Sequence, residues 1–327
     1  MSSIQASTPA MLSRVADSLY WMGRYLERAE HIARLLAVRL DAGAEPAGDD
    51  AASAWMRVIV ALSAQPVAAS ELDPTRLAQA LLLDGRNPSS LLSTLRAARD
   101  NARQVREQLS NEVWENLNRL YLSLLSETPA NGSGDIQPQL PRTVLTSLYA
   151  LSGVSYSTVS HGEGWYFLDL GRYIERAQLV SRLLDVHFGA TVPGYLPLPA
   201  PNFFDWLVLL KCCTAFEPYC KQFTAAIRPE RIAQLLLLDA EFPHSIRFSV
   251  DRVREALSHV APGAPSNRRA ACERLAGKLK AEMDYAQLED LAGPAFARFL
   301  ADISRQCEAV HDAVYVAYIA YDVGAVL

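Results

Sequence analysis

The chain has 327 residues and a net charge of −5; half of its residues are hydrophobic and a fifth are charged. That composition supports a sizeable core and excludes a disordered chain, while the acidic balance argues against nucleic-acid binding, which needs a basic excess to release counterions. There is no run of 18 apolar residues, and the opening MSSIQASTPAMLSR lacks a basic segment followed by an apolar one. No membrane span is expected, and the expected location is the cytoplasm.

The first element expected is a long helix from Met11 to Leu40. Val15, Leu19, Met22, Leu26, Ala29, Ala33 and Leu36 recur at three- and four-residue steps and form its core stripe. Breaks rich in Gly, Pro or small polar residues fall at 41–52, 129–141, 189–202 and 262–267. Thr8-Pro9, Asp73-Pro74 and Asn87-Pro88 pair a polar cap with proline, which suits the first helical turn because its missing N–H has no partner there anyway. Leu, Ala and Arg fill the segments between, and alternating strand patterns are scarce. The fold class expected is all-α, a bundle of about ten helices.

The sequence repeats itself. GRYLERAEHIARLLAVRL at 23–40 aligns without gaps to GRYIERAQLVSRLLDVHF at 171–188, with ten of 18 positions identical at an offset of 148. RLAQALLLDGRNPSS at 76–90 aligns with RIAQLLLLDAEFPHS at 231–245, with nine of 15 identical at an offset of 155. Two matches in the same order imply two similar helical halves, 10–135 and 141–327, packed as one body. Gly23 and Gly171 share a register. A glycine inside a helix costs about 1 kcal/mol relative to alanine, so the pair implies a close helix approach or a bend.

The charged residues of the repeat are the candidates for chemistry. Arg24, Glu27, Arg28, Glu30 and His31 in the first copy face Arg172, Glu175 and Arg176 in the second; Arg34 is matched by Arg182, Glu30 by Gln178 and His31 by Leu179. One reading is a set of ion pairs that fixes helix register. The other is a shared polar cleft, in which guanidinium groups hold a carboxylate or phosphate and Glu27 or Glu30 acts as a base. The first half also carries Arg96, Arg99, Arg103 and Arg106 at steps of 3, 4 and 3, a stripe that the second half lacks. Such a stripe repels itself, so it implies carboxylate partners or a bound anion. The five cysteines, Cys212, Cys213, Cys220, Cys272 and Cys307, form no paired CxxC set, and buried thiols are expected. Glu-x-x-His is absent from both halves, as are the phosphate-loop and nucleophile-elbow patterns; no metal site and no cofactor are expected.

Three long segments resemble the bacterial alpha-E family: MLSRVADSLYWMGRYLERAEHIARLL at the start, ARDNARQVREQLSNEVWENLN at 98–118, and GEGWYFLDLGRYIERA at 162–177. The resemblance spans nearly the whole chain and implies an all-helical protein. It also implies a setting beside a circularly permuted ATP-grasp ligase and a transglutaminase-like protein, in peptide modification or amide ligation. The family's charged motif residues match Arg24, Glu27, Arg28, Glu30, Arg103, Arg106, Arg172, Glu175 and Arg176; Gln178 departs from it, where an acidic residue is common.

The expectation is therefore an accessory protein that binds an acidic small molecule or peptide through Arg24, Arg28, His31, Arg99, Arg103, Arg106, Arg172, Glu175 and Arg176. The alternatives are an enzyme acting on peptide or amide bonds, with Glu27 and Glu30 as catalytic carboxylates, and a scaffold for the ligase.

Overall fold

The computed structural model describes residues 11–41, 49–62, 73–128, 137–189, 198–260, 266–291 and 293–319, and every regular element among them is helical. In chain order these are α1 (Ser13–Asp41), α2 (Asp49–Ala61), α3 (Pro74–Leu83), α4 (Leu91–Gln104), α5 (Asn111–Ser126) and α6 (Leu140–Thr158). They are followed by α7 (Glu163–Phe188), α8 (Phe203–Cys212), α9 (Phe216–Phe223), α10 (Pro229–Ala233), α11 (Ile246–His259), α12 (Ser266–Tyr285) and α13 (Pro294–Val314). The chain is all-α, as its composition and periodicity imply. No described helix is long and apolar enough to cross a membrane.

Local start signals explain several boundaries. Asp73 accepts hydrogen bonds from the backbone of Thr75 and Arg76, with Pro74 in the first turn of α3. The Asn87-Pro88 signal marks a turn instead: α4 begins at Leu91, where Ser90 accepts from Ser93 N at 3.1 Å. Ser245 caps α11 in the same way, accepting from Phe248 N at 2.9 Å. Thr8-Pro9 lies outside the described residues.

The repeat extends to architecture. α4 and α11 start 155 residues apart, as do α5 and α12. Helices α1, α4, α5 and α6 pack as a closed ring of four, each touching the next; α7, α11, α12 and α13 do the same, so α6 (Leu140–Thr158), expected in the second half, packs with the first. The most extensive helix contact joins the rings, α1 against α7. Every residue of the expected α1 stripe, from Val15 to Leu36, is buried. Burying such side chains is worth roughly 1.5–3 kcal/mol for each large one, and two faces of α1 and α7 are covered instead of one.

Glycine makes the crossing possible. A Cβ on Gly23 would stand 2.1 Å from the Leu168 carbonyl oxygen, and one on Gly171 would stand 2.0 Å from that of Tyr20. The two clashes are equivalent under the 148-residue offset. The helices thus cross backbone to backbone, around a pseudo-twofold axis between Gly23 and Gly171.

Candidate functional site

Close crossing brings the two charged motifs together. From α1, Arg24 and Arg28 stand one turn apart and reach one side of the axis, while Glu27, Glu30 and Arg34 reach the other. On the first side, Arg24 Nε donates to Glu175 Oε2 at 2.6 Å and Arg28 Nε to Glu175 Oε1 at 2.7 Å. Arg24 also donates to Gln178 Oε1 at 2.7 Å. On the second side, Arg176 grips Glu27 with two parallel bonds of 2.6 and 2.7 Å and donates to the Pro243 carbonyl. There Glu30 pairs with Arg34, which also donates to Tyr149 Oη at 3.2 Å. Arg172 pairs with Asp169 at 3.3 Å.

Burial sets the electrostatics. Desolvation acts to raise the Glu175 carboxyl, but Arg24 and Arg28 outweigh it and hold the group below the usual carboxylate range. Glu30 is held down in the same manner, chiefly by Arg34 and then Arg176. Burial would lower the Arg176 guanidinium, yet the Glu27 carboxylate raises it instead. His31 is pushed down to about 3 by burial, aided by Arg34 and Arg182, so it is neutral and its Nε2 has no hydrogen-bond partner. Burial pushes the Cys213 and Cys307 thiols up to about 12, so neither is activated.

The two sides differ in space. The second is filled: Glu27, Glu30 and Arg172, together with Leu148 and Leu151 of α6, enclose only about 10 Å³, room for a single water at most. The first opens into a cavity of about 380 Å³ lined by Arg24, Arg28, Glu175, Gln178, Arg182 and His311. That volume lies within the range of small-ligand sites. Arg28 is accessible, its side chain 33% exposed beside a Glu175 at 4%. Arg24 lies over the Trp21 ring at 5.2 Å, which fixes its plane. Tyr20 keeps its proton, because burial drives its phenol upward. Its hydroxyl shares a 2.7 Å hydrogen bond with His311 Nδ1.

The structure divides the expected site residues into three groups. Arg24, Arg28 and Glu175 line the open cavity. Glu27, Glu30, His31 and Arg176 are buried in or beside the filled side, and Arg172 borders it. A general-base role for Glu27 or Glu30 meets a geometric obstacle: both Glu27 oxygens are taken by Arg176, Glu30 is paired with Arg34, and the pocket that the two line holds only about 10 Å³. The arginine stripe forms a separate surface along α5. Arg99 donates to Asn118 Oδ1 at 2.7 Å and lies over Tyr121 at 5.0 Å, and Arg106 lies over Trp114 at 4.9 Å. Arg103 is exposed on the same face, and none of the three borders the cavity.

Gln178, Arg182 and His311 are not among the ligand-binding residues expected from sequence. Arg182 was legible as the copy of Arg34. His311 carried no signal, because it comes from α13 at the far end of the chain. Among the described residues, no group of three His, Cys, Asp or Glu side chains gathers to hold a metal ion.

Fold and site define a duplicated helical bundle whose halves meet through reciprocal Arg–Glu pairs. Over residues 11–319 the chain matches the Alpha-E family, described as a predicted alpha-helical domain with a conserved ER motif, and it belongs to that family. Glu27-Arg28 and Glu175-Arg176 are Glu-Arg dipeptides at the center of the crossing. Uncharacterized proteins of Mycobacterium bovis and Mycobacterium tuberculosis are similar at 25% identity over 91% of this chain. The chain spans about a third of those relatives, 35% of their length. No solved structure matches it.

Proposed function

We propose that this protein is a binding module that holds the carboxylate of an acidic small molecule or peptide in the cavity between α1 and α7. The observation that carries the reading is the lining: three guanidinium groups, Arg24, Arg28 and Arg182, around a 380 Å³ space in which Glu175 is the buried acid. A second carboxylate, Glu308, stands at the exposed rim. Guanidinium suits this task because its planar fork matches a carboxylate with two parallel bonds. The family resemblance supports the wider setting, an accessory to an ATP-grasp amide ligase with a transglutaminase-like protein nearby.

The test is thermal unfolding with and without a short acidic peptide. The wild-type midpoint should rise with peptide concentration, since a ligand of the native state stabilizes it by mass action. Arg28→Ala should abolish that rise, and its unliganded midpoint should fall while the fold is kept, because the buried Glu175 loses one of its two partners but retains Arg24. A rise that survives Arg28→Ala would move the binding site elsewhere, with the Arg99–Arg106 surface the next place to look.

A further inference from the structure

A row of aromatic rings continues the wall of the open cavity. On α1, Trp21 and Tyr25 stand one turn apart, each three residues before a cavity arginine, and their rings stack at 5.5 Å. On α13, the Tyr315 ring follows His311 by one turn, at 6.3 Å. The two helices run antiparallel here. Glu308 and His311 share the cavity with Arg24, Arg28 and Ile32, whereas Tyr318 packs farther along, on Val15, Ala16 and Leu19. Both pairs of rings therefore extend the wall in one direction, and an edge contact between Trp21 and His311 at 5.6 Å joins them. The cavity's own guanidinium groups rest on the row, Arg24 on Trp21 at 5.2 Å and Arg28 on Tyr25 at 5.6 Å. Trp21 and Tyr25 are half-buried, while Tyr315 is 42% exposed and Val316 51%. These last two stand in a π-helical turn, Tyr315–Ile319, that buries Ala317 and Ile319 and leaves Tyr315 and Val316 facing outward. Such turns are rare and recur at functional sites. Among the described residues, the other copy of the crossing has no such row. There Asp169 stands in the place of Trp21 and pairs with Arg172 and Arg252, and Tyr173, in the place of Tyr25, carries Arg176 and Arg252.

Resting on the binding reading above, we infer that the ligand is a peptide whose carboxylate enters the cavity and whose preceding residues lie along Tyr25, Trp21, His311 and Tyr315. Ring centers 5.5–6.3 Å apart each span just under two residues of extended chain, so the row holds roughly five residues at about 3.3 Å apiece. Rings gain from flat or apolar groups such as proline, leucine and tyrosine, whereas a charged side chain laid on them loses hydration without a partner. A free acidic amino acid fills the cavity and leaves the row bare. The ligand class is therefore a peptide tail with apolar residues ahead of its terminal carboxylate. Selectivity for that tail lies in Tyr315 and Trp21, because the guanidinium groups hold a carboxylate whatever precedes it.

Calorimetry with three probes tests this: an acetylated hexapeptide of proline, leucine and tyrosine ending in glutamate, an acetylated hexapeptide of glycine and serine with the same ending, and N-acetylglutamate. Wild type should bind the apolar hexapeptide about tenfold more tightly than the other two, the worth of one good aromatic contact. Tyr315→Ser should erase that advantage while its affinity for N-acetylglutamate stays at the wild-type level, because Tyr315 does not line the cavity. Trp21→Leu keeps an apolar side chain beside Arg24 but removes the ring. It should erase the advantage too, and it provides a second readout if Tyr315→Ser does not fold. Arg28→Ala should weaken all three probes. Equal binding of the two hexapeptides by wild type overturns the inference and leaves the binding reading standing, as does an advantage that survives both ring variants. Binding of the apolar hexapeptide that ignores Arg28→Ala separates the rings from the cavity and overturns the inference. A wild type that binds none of the probes overturns both.

Discussion

His31 and Leu179 hold matching positions on α1 and α7, yet only His31 must bury a titratable ring. Its native value of about 3 lies far below the 6.5 of an exposed imidazole, and His187 is likewise pushed down to about 4 by burial. Both rings are neutral when folded, whereas the unfolded chain takes up protons below pH 6.5. Their contribution to stability is therefore complete above that pH and is lost as pH falls toward 3–4. Glu175 and Glu30, held below the usual range, add stability that is lost on further acidification, below the unfolded carboxyl value of about 4.5. His31→Leu, the residue of the other copy, should flatten the first part of this curve and remove an orphaned Nε2. Denaturant midpoints at pH 7, 5.5 and 4.5 would show it: the variant should lose less stability than wild type between pH 7 and 4.5. Parallel curves would mean that His31 does not govern acid sensitivity.

At the scale of the helix, Gly23 and Gly171 invert an ordinary rule. Gly→Ala inside a helix usually gains about 1 kcal/mol. Here the added methyl would sit about 2 Å from a carbonyl oxygen of the opposite backbone, which cannot swing aside as a side chain would. Gly23→Ala and Gly171→Ala should each destabilize the protein by about 3 kcal/mol, in the upper range of overpacking, whereas Gly153→Ala, with open space around it on α6, should be neutral or stabilizing. Thermal and chemical unfolding separate these outcomes. Equal, small effects at all three positions would show that the crossing tolerates a wider gap. The arginine stripe behaves as a lateral seam between α4 and α5, with aromatic rings rather than carboxylates spacing most of its charges.

At the scale of the molecule, each ring of four helices leaves one long helix with a second apolar face, and the two faces cover each other. We propose that neither half is a stable monomer. Residues 11–160 produced alone would expose the α1 surface around Met22 and Gly23 that α7 now covers. They should be insoluble, or pair as a twofold dimer through that surface, in light-scattering measurements. A folded, monomeric half would show that the joint is dispensable.

Much of this was legible in the sequence. Three- and four-residue periodicity fixed the helices and the buried stripe of α1, because side chains that far apart share a face whatever the partner. The ungapped repeat announced two related halves, and paired glycines announced a close approach, since only a missing Cβ permits backbones to touch. Sequence could not say which way each charge would point: Arg24 and Glu27 are three residues apart, yet they serve opposite sides of one axis. Nor could it show that α6 fills one copy of the site while the other stays open, or that His311, some 280 residues along the chain from Arg28, closes that cavity's wall. Periodicity is a property of one helix and can be read locally; a cavity is what several helices fail to fill together, so only their packing decides it.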